Sequence, residues 1–324
     1  MHRRIIKILN ARIELVSNTE LIHAPNYFSL TDVESLLSDY APFEELPPDA
    51  RPDGSILILD EDCAPCIQVN GALAVARGPF AKLEKTMQDK RYTLLGNQGL
   101  LYRFIMYILE SAHATYSFHA NALYNEQRNE LFVVFGGAAS GKSPALMAGL
   151  ANGLKVFGTE LVHFSVTDNT FHFYQSSCLD NIRPQCIHED FPELLTTLAV
   201  PDCQGFSSPS SKFLLDMRHF AAPEPTLTSP RLRLIIPRVE AGRSPVIQVT
   251  TDDQALVAKM LFDNLSEKIA ASFTMYNCMA SSGLDTPLLA ARRLSAVQAL
   301  LRAAGGAWVE TCLAPPRHFL EVLR

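Results

Sequence analysis

Residues 4–16 mix β-branched side chains with apolar/polar alternation, the pattern of one long or two short strands. Thr31–Asp32–Val33–Glu34 has the form of a capping box and predicts a helix to about residue 40. Residues 42–52, dense in Pro, Asp and Glu, predict a loop. Strands are expected over 55–59 and 67–76, the second folded back at Asn70–Gly71, a hairpin signal. Residues 79–88 suit a short helix.

Leu100, Leu101, Phe104, Ile105, Ile108 and Leu109 recur at near-helical spacing and predict a helix over 99–112 that packs across the join of two halves. Beyond it, 116–124 and 131–135 read as strands joined by a polar turn, and a helix closes at Gly153. Residues 155–157, 161–166 and 171–174 are strand-like, with a turn at Asp168–Asn169. Residues 201–230, rich in Ser and Pro and including Ser207 to Ser211, predict a mobile loop. A strand over 231–239 and helices over 252–272 and 286–304 complete the chain. The sum is an α/β protein: an N-terminal α+β region, 1–95, and a second region, 96–324.

Composition narrows the classes. The chain has 324 residues, 48% hydrophobic and 19% charged, enough to bury a sizeable core and unlike a disordered chain. Its net charge of −6, with Lys and Arg scattered, gives no footprint for nucleic acid. Asn10, Arg12 and Glu14 interrupt an N-terminus that begins like a signal peptide, and no apolar run of about 18 residues predicts a membrane span. Seven scattered cysteines form no disulfide framework, so a reducing cytoplasm is the expected setting. Cys63–Ala64–Pro65–Cys66 reads as part of a plain hairpin rather than a redox or zinc site.

Gly136–Gly137–Ala138–Ala139–Ser140–Gly141–Lys142–Ser143 fits the P-loop pattern. Glycines let successive backbone N–H groups turn inward around phosphates, and the helix that starts there offers unpaired N–H groups to an anion. Lys142 would neutralise the β- and γ-phosphates, and the Ser143 hydroxyl would bind Mg²⁺. Pro144 falls in the first helical turn, where a missing N–H costs little.

From Ser117 to Val162 the chain resembles HPr kinase/phosphorylase and its relatives, whose P-loop fold is shared with phosphoenolpyruvate carboxykinase. Phe118–His119–Ala120, Leu131 to Phe135, the glycine-rich run, Gly153 and Val156 to Val162 follow that family's order. The resemblance is vaguer around Ile235–Ile236–Pro237–Arg238. It implies a P-loop kinase core, with an Asp-Asp pair supplying a base and a ligand near Mg²⁺. Thr159 and Glu160 stand at that pair. Glu160 keeps one carboxylate for Mg²⁺ or for proton transfer; Thr159 cannot be a base. His119 becomes the other candidate proton acceptor. Arg183 and Arg238 are candidate phosphate contacts, since guanidinium binds phosphate bidentately. His163 and His172 read as structural, and Arg292–Arg293 as the solvated face of a helix.

The expected function is ATP- or GTP-dependent, Mg²⁺-assisted phosphoryl transfer to a hydroxyl of a small molecule or peptide in a specialised biosynthetic pathway. HPr itself is not the expected acceptor, because no HPr-recognising C-terminal segment is evident. The competing classes are a catalytically silent nucleotide-binding regulator or scaffold, and an NTPase that drives a partner. Homo-oligomerisation is left open.

Overall fold

The alternating N-terminal run folds as two strands, β1 (His2–Ile8) and β2 (Ala11–Ser17), with Ile8 opposite Ala11 and a tight turn at Leu9. A computed structural model describes the chain except Ala41, Ala138, Ala139, residues 203–211, 240–243, Pro245, residues 251–252, 306–308 and Arg324. The next strands are β3 (Phe43–Leu46), β4 (Gly54–Asp60), β5 (Cys66–Asn70) and β6 (Leu73–Gly78). They form one six-stranded mixed sheet in the order β3-β1-β2-β4-β6-β5. The hairpin at Asn70–Gly71 forms as expected, with Asn70 opposite Leu73. Helices α1 (Phe80–Thr86) and α2 (Leu100–His113) follow, and Phe104 and Ile108 of α2 close on the Gly54 backbone.

The helix expected from Thr31 to Tyr40 does not form; only a short 3₁₀ turn, Leu36–Ser38, appears. Asp32 Oδ1 accepts from the Glu34 N–H at 3.0 Å, and Ser35 Oγ accepts from the Leu37 N–H at 3.1 Å. These local side-chain bonds satisfy the amides in turn conformations that compete with a helix. Cys63 and Cys66 are both exposed, and Cys66 opens the hairpin strand β5.

The second sheet begins with β7 (Tyr116–Asn125) and β8 (Glu130–Phe135), followed by α3 (Lys142–Ala151). Then come β9 (Lys155–Gly158), β10 (Leu161–Thr167), β11 (Thr170–Tyr174), β12 (Leu179–Ile182) and α4 (Pro184–Asp190). Asp168 and Asn169, both at positive φ (50° and 62°), make the tight β10–β11 turn. Two short strands, β13 (Phe213–Asp216) and β14 (Thr226–Thr228), lie where sequence reading expected only loop; Ser207 to Ser211 fall outside the described residues. Each exists by pairing: β13 forms a separate two-stranded sheet with β12, and β14 adds an edge to the large sheet beside β11.

The chain ends with β15 (Arg231–Val239), β16 (Val246–Thr250), α5 (Gln254–Ala270), β17 (Phe273–Met275), β18 (Met279–Ser281), α6 (Pro287–Ala303), β19 (Val309–Ala314) and α7 (Phe319–Val322). The large sheet runs β14-β11-β10-β7-β8-β15-β19-β16, with β9 also on β7; β8, β15 and β19 are parallel. Contacts divide this mixed α/β chain into two units, Met1–Tyr116 with Ser266–Arg292, and Ser117–Leu265 with Arg293–Arg324. Within the first, the Glu84 carboxylate accepts from the hydroxyls of Tyr27 and Tyr276, each at 2.6 Å. Within the second, Ala145 to Leu150 of α3 are buried without a break, in one core with Phe132, Val134, Ile235 and Phe319.

Arg292 is exposed, but Arg293 corrects the expected solvated face: it is 0% exposed, its guanidinium carbon 5.9 Å from the Phe262 ring centre. Position 293 falls on the stripe of Leu289, Val297 and Leu300 that α6 buries. Among the described residues no helix is long and apolar enough to cross a membrane.

Candidate functional site

The 136–143 segment bridges the carboxyl end of β8 and the amino end of α3. Strand β8 is buried throughout, with β7 antiparallel on one side and β15 parallel on the other. Its last apolar residue, Phe135, stands opposite Ala120, so His119 on β7 lies level with the start of the loop. Gly141 has φ +112°, and a Cβ there would sit 2.6 Å from Val239 Cγ2. A Cβ at Gly136 would meet Ser140 Oγ at 2.7 Å. The glycines therefore let the loop close on itself and on the end of β15, where the Val239 N–H donates to the Ser140 carbonyl at 3.3 Å.

The first intrahelical bond of α3 runs from the Ala145 N–H to the Gly141 carbonyl, at 3.1 Å. Helix geometry turns the amides of this first turn toward the loop that precedes it. Lys142 Nζ folds back over the loop and donates to the carbonyls of Gly136 at 2.6 Å and Gly137 at 3.4 Å. An ammonium and a helix amino terminus thus meet at one edge of the sheet, a setting that favours an anion. Ala138 and Ala139 lie outside the described residues.

The second cluster is built by β7 and the turn between β9 and β10. His119 is clasped by Asn264: the His119 N–H donates to Asn264 Oδ1 at 3.0 Å, and Asn264 Nδ2 donates to the His119 carbonyl at 3.1 Å. Glu160 occupies a turn closed by the Leu161 N–H on the Thr159 carbonyl at 2.6 Å, and its own φ is +57°. A non-glycine residue in that region is uncommon, and such strain gathers where a side chain is aimed for a purpose. The Glu160 N–H donates to Asn121 Oδ1 at 3.2 Å, and the Ala120 N–H to the Glu160 carbonyl at 3.1 Å. The result places His119 Nε2 3.1 Å from Glu160 Oε2, with the His side chain 9% and the Glu side chain 30% exposed.

Sequence reading missed Asp180. It lies on β12, 4% exposed, and its Oδ2 has no hydrogen-bond partner among the described residues. Burial and the Glu160 carboxylate push its pKa up; Lys212 and Lys142 and the Asn181 N–H pull it down. The available signal was a single acid directly after the small or apolar run from Ser176 to Leu179. Arg238, exposed near the end of β15, neighbours Val239 at the loop. Arg183 is exposed at the N-cap of α4, where its carbonyl accepts from the Cys186 N–H at 3.1 Å. His163 is fully buried, its Nδ1 2.7 Å from Ser117 Oγ, and burial lowers its pKa to about 3.

Among the described residues no group of three or more His, Cys, Asp or Glu side chains is placed to hold a metal ion. No protein-family model matches the chain, and no curated protein matches it.

Proposed function

We propose that the protein is an ATP- or GTP-dependent phosphotransferase on a P-loop core of the HPr kinase/phosphoenolpyruvate carboxykinase type. Its acceptor is a hydroxyl of a small molecule or peptide. The observation that carries this reading is the meeting, at one end of β7 and β8, of the Lys142 ammonium and the α3 amino terminus with the paired His119 and Glu160.

The residues present fit a magnesium nucleotide. The loop offers an ammonium, helix-end amides and Ser140 Oγ, a buried hydroxyl without a partner among the described residues. Mg²⁺ usually takes one or two protein carboxylates and completes its shell with water and phosphate oxygens. Ser143 and Glu160 would hold it here, and when bound it neutralises charge on the phosphates. Lys142 holds the β- and γ-phosphates, and Arg238, near the end of β15, is a second candidate phosphate contact. His119, through Nε2, orients the Glu160 carboxylate, and the pair offers two candidate acceptors for the hydroxyl proton.

The test is calorimetric binding of ATP·Mg²⁺ and GTP·Mg²⁺, followed by incubation with a metabolite extract and a search for products heavier by one phosphate. Binding together with a phosphorylated hydroxyl product is expected. A protein that binds neither nucleotide is not a kinase of this kind.

A further inference from the structure

We propose that Asp180 is the second carboxylate of this site and receives the proton of the acceptor hydroxyl, with Thr159 as its positioning residue. The inference rests on the phosphotransferase reading above. It begins with what replaces the expected acid at position 159. Thr159 is fully buried, and its hydroxyl lies 3.0 Å from the Ser177 carbonyl oxygen and 2.5 Å from that of Leu179. Its N–H also donates to the Ser177 carbonyl, at 2.8 Å. A carboxylate at 159 would face two carbonyl oxygens, acceptor against acceptor, whereas a hydroxyl can donate to them. In this backbone the position calls for a donor, so the second acid has to come from elsewhere.

The same bonds say where. They fasten the Thr159–Glu160 turn to the carbonyls of Ser177 and of Leu179, the residue immediately before Asp180. Pairing of β12 with β13, Asp180 opposite Leu215, fixes the strand from the other side. The carboxyl is buried, yet Oδ2 meets no donor among the described residues. A buried acceptor left without a donor is costly, and such groups recur where a ligand or a reaction supplies the missing partner. The Thr159 hydroxyl donates to the carbonyl of Leu179, the residue before Asp180, which sets Asp180 beside the Thr159–Glu160 turn, and the Glu160 and Lys142 charges act on it in opposite senses. His119 Nε2 is already engaged by Glu160, which suits it to orientation.

In the step, the acceptor oxygen forms the new bond to the γ-phosphorus. The bond from the γ-phosphorus to its bridging oxygen breaks, and its electron pair leaves with the nucleoside diphosphate. The hydroxyl proton passes to the Asp180 carboxylate. Water can take the place of the alcohol, and that reaction needs no knowledge of the natural acceptor.

The experiment uses the full chain with ATP·Mg²⁺ and follows phosphate release beside calorimetric binding. Asp180→Asn should bind ATP·Mg²⁺ within about threefold of wild type while phosphate release falls by about 10²-fold or more, as loss of a general base does. Thr159→Val should lower the turnover rate about tenfold without weakening binding, and Thr159→Ser should restore most of it, by the usual worth of one buried hydrogen bond. An Asp180→Asn protein that keeps more than half the wild-type rate overturns the proposal and leaves the phosphotransferase reading standing. A wild-type protein that binds no nucleotide, or that binds it and neither releases phosphate nor phosphorylates any hydroxyl of a metabolite extract, overturns both. If Asp180→Asn does not fold, Thr159→Val decides: an unchanged rate there overturns the proposal.

Discussion

His119 Nε2 stands 3.1 Å from Glu160 Oε2, and each residue is fixed by an asparagine, His119 by Asn264 and Glu160 by Asn121. With their backbones so held, the two paired side chains act as one unit. Glu160→Gln and His119→Ala should each lower phosphoryl transfer by roughly 10²-fold, while the double variant loses little more than the worse single one. A double-mutant cycle on the rate measures this coupling. Strictly additive losses would separate the two roles.

Lys142→Ala should leave the fold intact and weaken ATP·Mg²⁺ binding by about 2–3 kcal/mol, the worth of hydrogen bonds to a charged group. The ammonium rests on the carbonyls of Gly136 and Gly137, so it is already aimed at the loop. Calorimetry giving wild-type affinity for Lys142→Ala would remove the loop from nucleotide binding.

The parts of this architecture written in local pattern were legible in the chain. Residues 131–135 and 142–151 are a strand and a helix in sequence and structure alike, because apolar runs and glycine punctuation encode them locally. The partnership of His119 with Glu160 was readable only as two names, since 41 positions separate them and a turn at positive φ aims the second. Asp180 was hidden altogether, for its burial depends on pairing with β13, inside a stretch that reads as loop. Arg293 misled for the same reason: its charge predicts solvent, while its place on the α6 stripe dictates burial. The helix expected at Thr31 failed because Asp32 and Ser35 spend their side chains on turns, which the capping pattern does not register.

His163 predicts the pH behaviour of the fold. Its imidazole is fully buried and its pKa is lowered to about 3, against about 6.5 in an unfolded chain. Below pH 6.5 the unfolded state therefore binds a proton that the folded state refuses, so stability is lost as pH falls towards 3. The contribution should approach about 1.4 kcal/mol per pH unit in that window. His163→Gln keeps a polar partner for Ser117 and should flatten the slope. Denaturant unfolding of both proteins between pH 7 and pH 4, where each still folds, gives the comparison. Parallel stability curves would show that His163 is not the titrating group.

Gly141 offers a test of the loop that separates backbone strain from contact. At φ +112° it occupies a conformation that side chains resist, and a Cβ would also press to 2.6 Å from Val239 Cγ2. Gly141→Ala should therefore cost about 1–3 kcal/mol from backbone strain, with the clash added. Val239→Ala removes the methyl that is struck but leaves φ unchanged. In the Gly141→Ala background it should recover only part of the loss. Gly137→Ala supplies the control, since nothing lies within 4 Å of a Cβ there. Its melting temperature should stay near wild type, as exposed substitutions usually change stability by no more than about 0.5 kcal/mol. If Val239→Ala restored Gly141→Ala completely, contact with β15 alone would set the requirement for glycine, and the left-handed backbone would carry none of it.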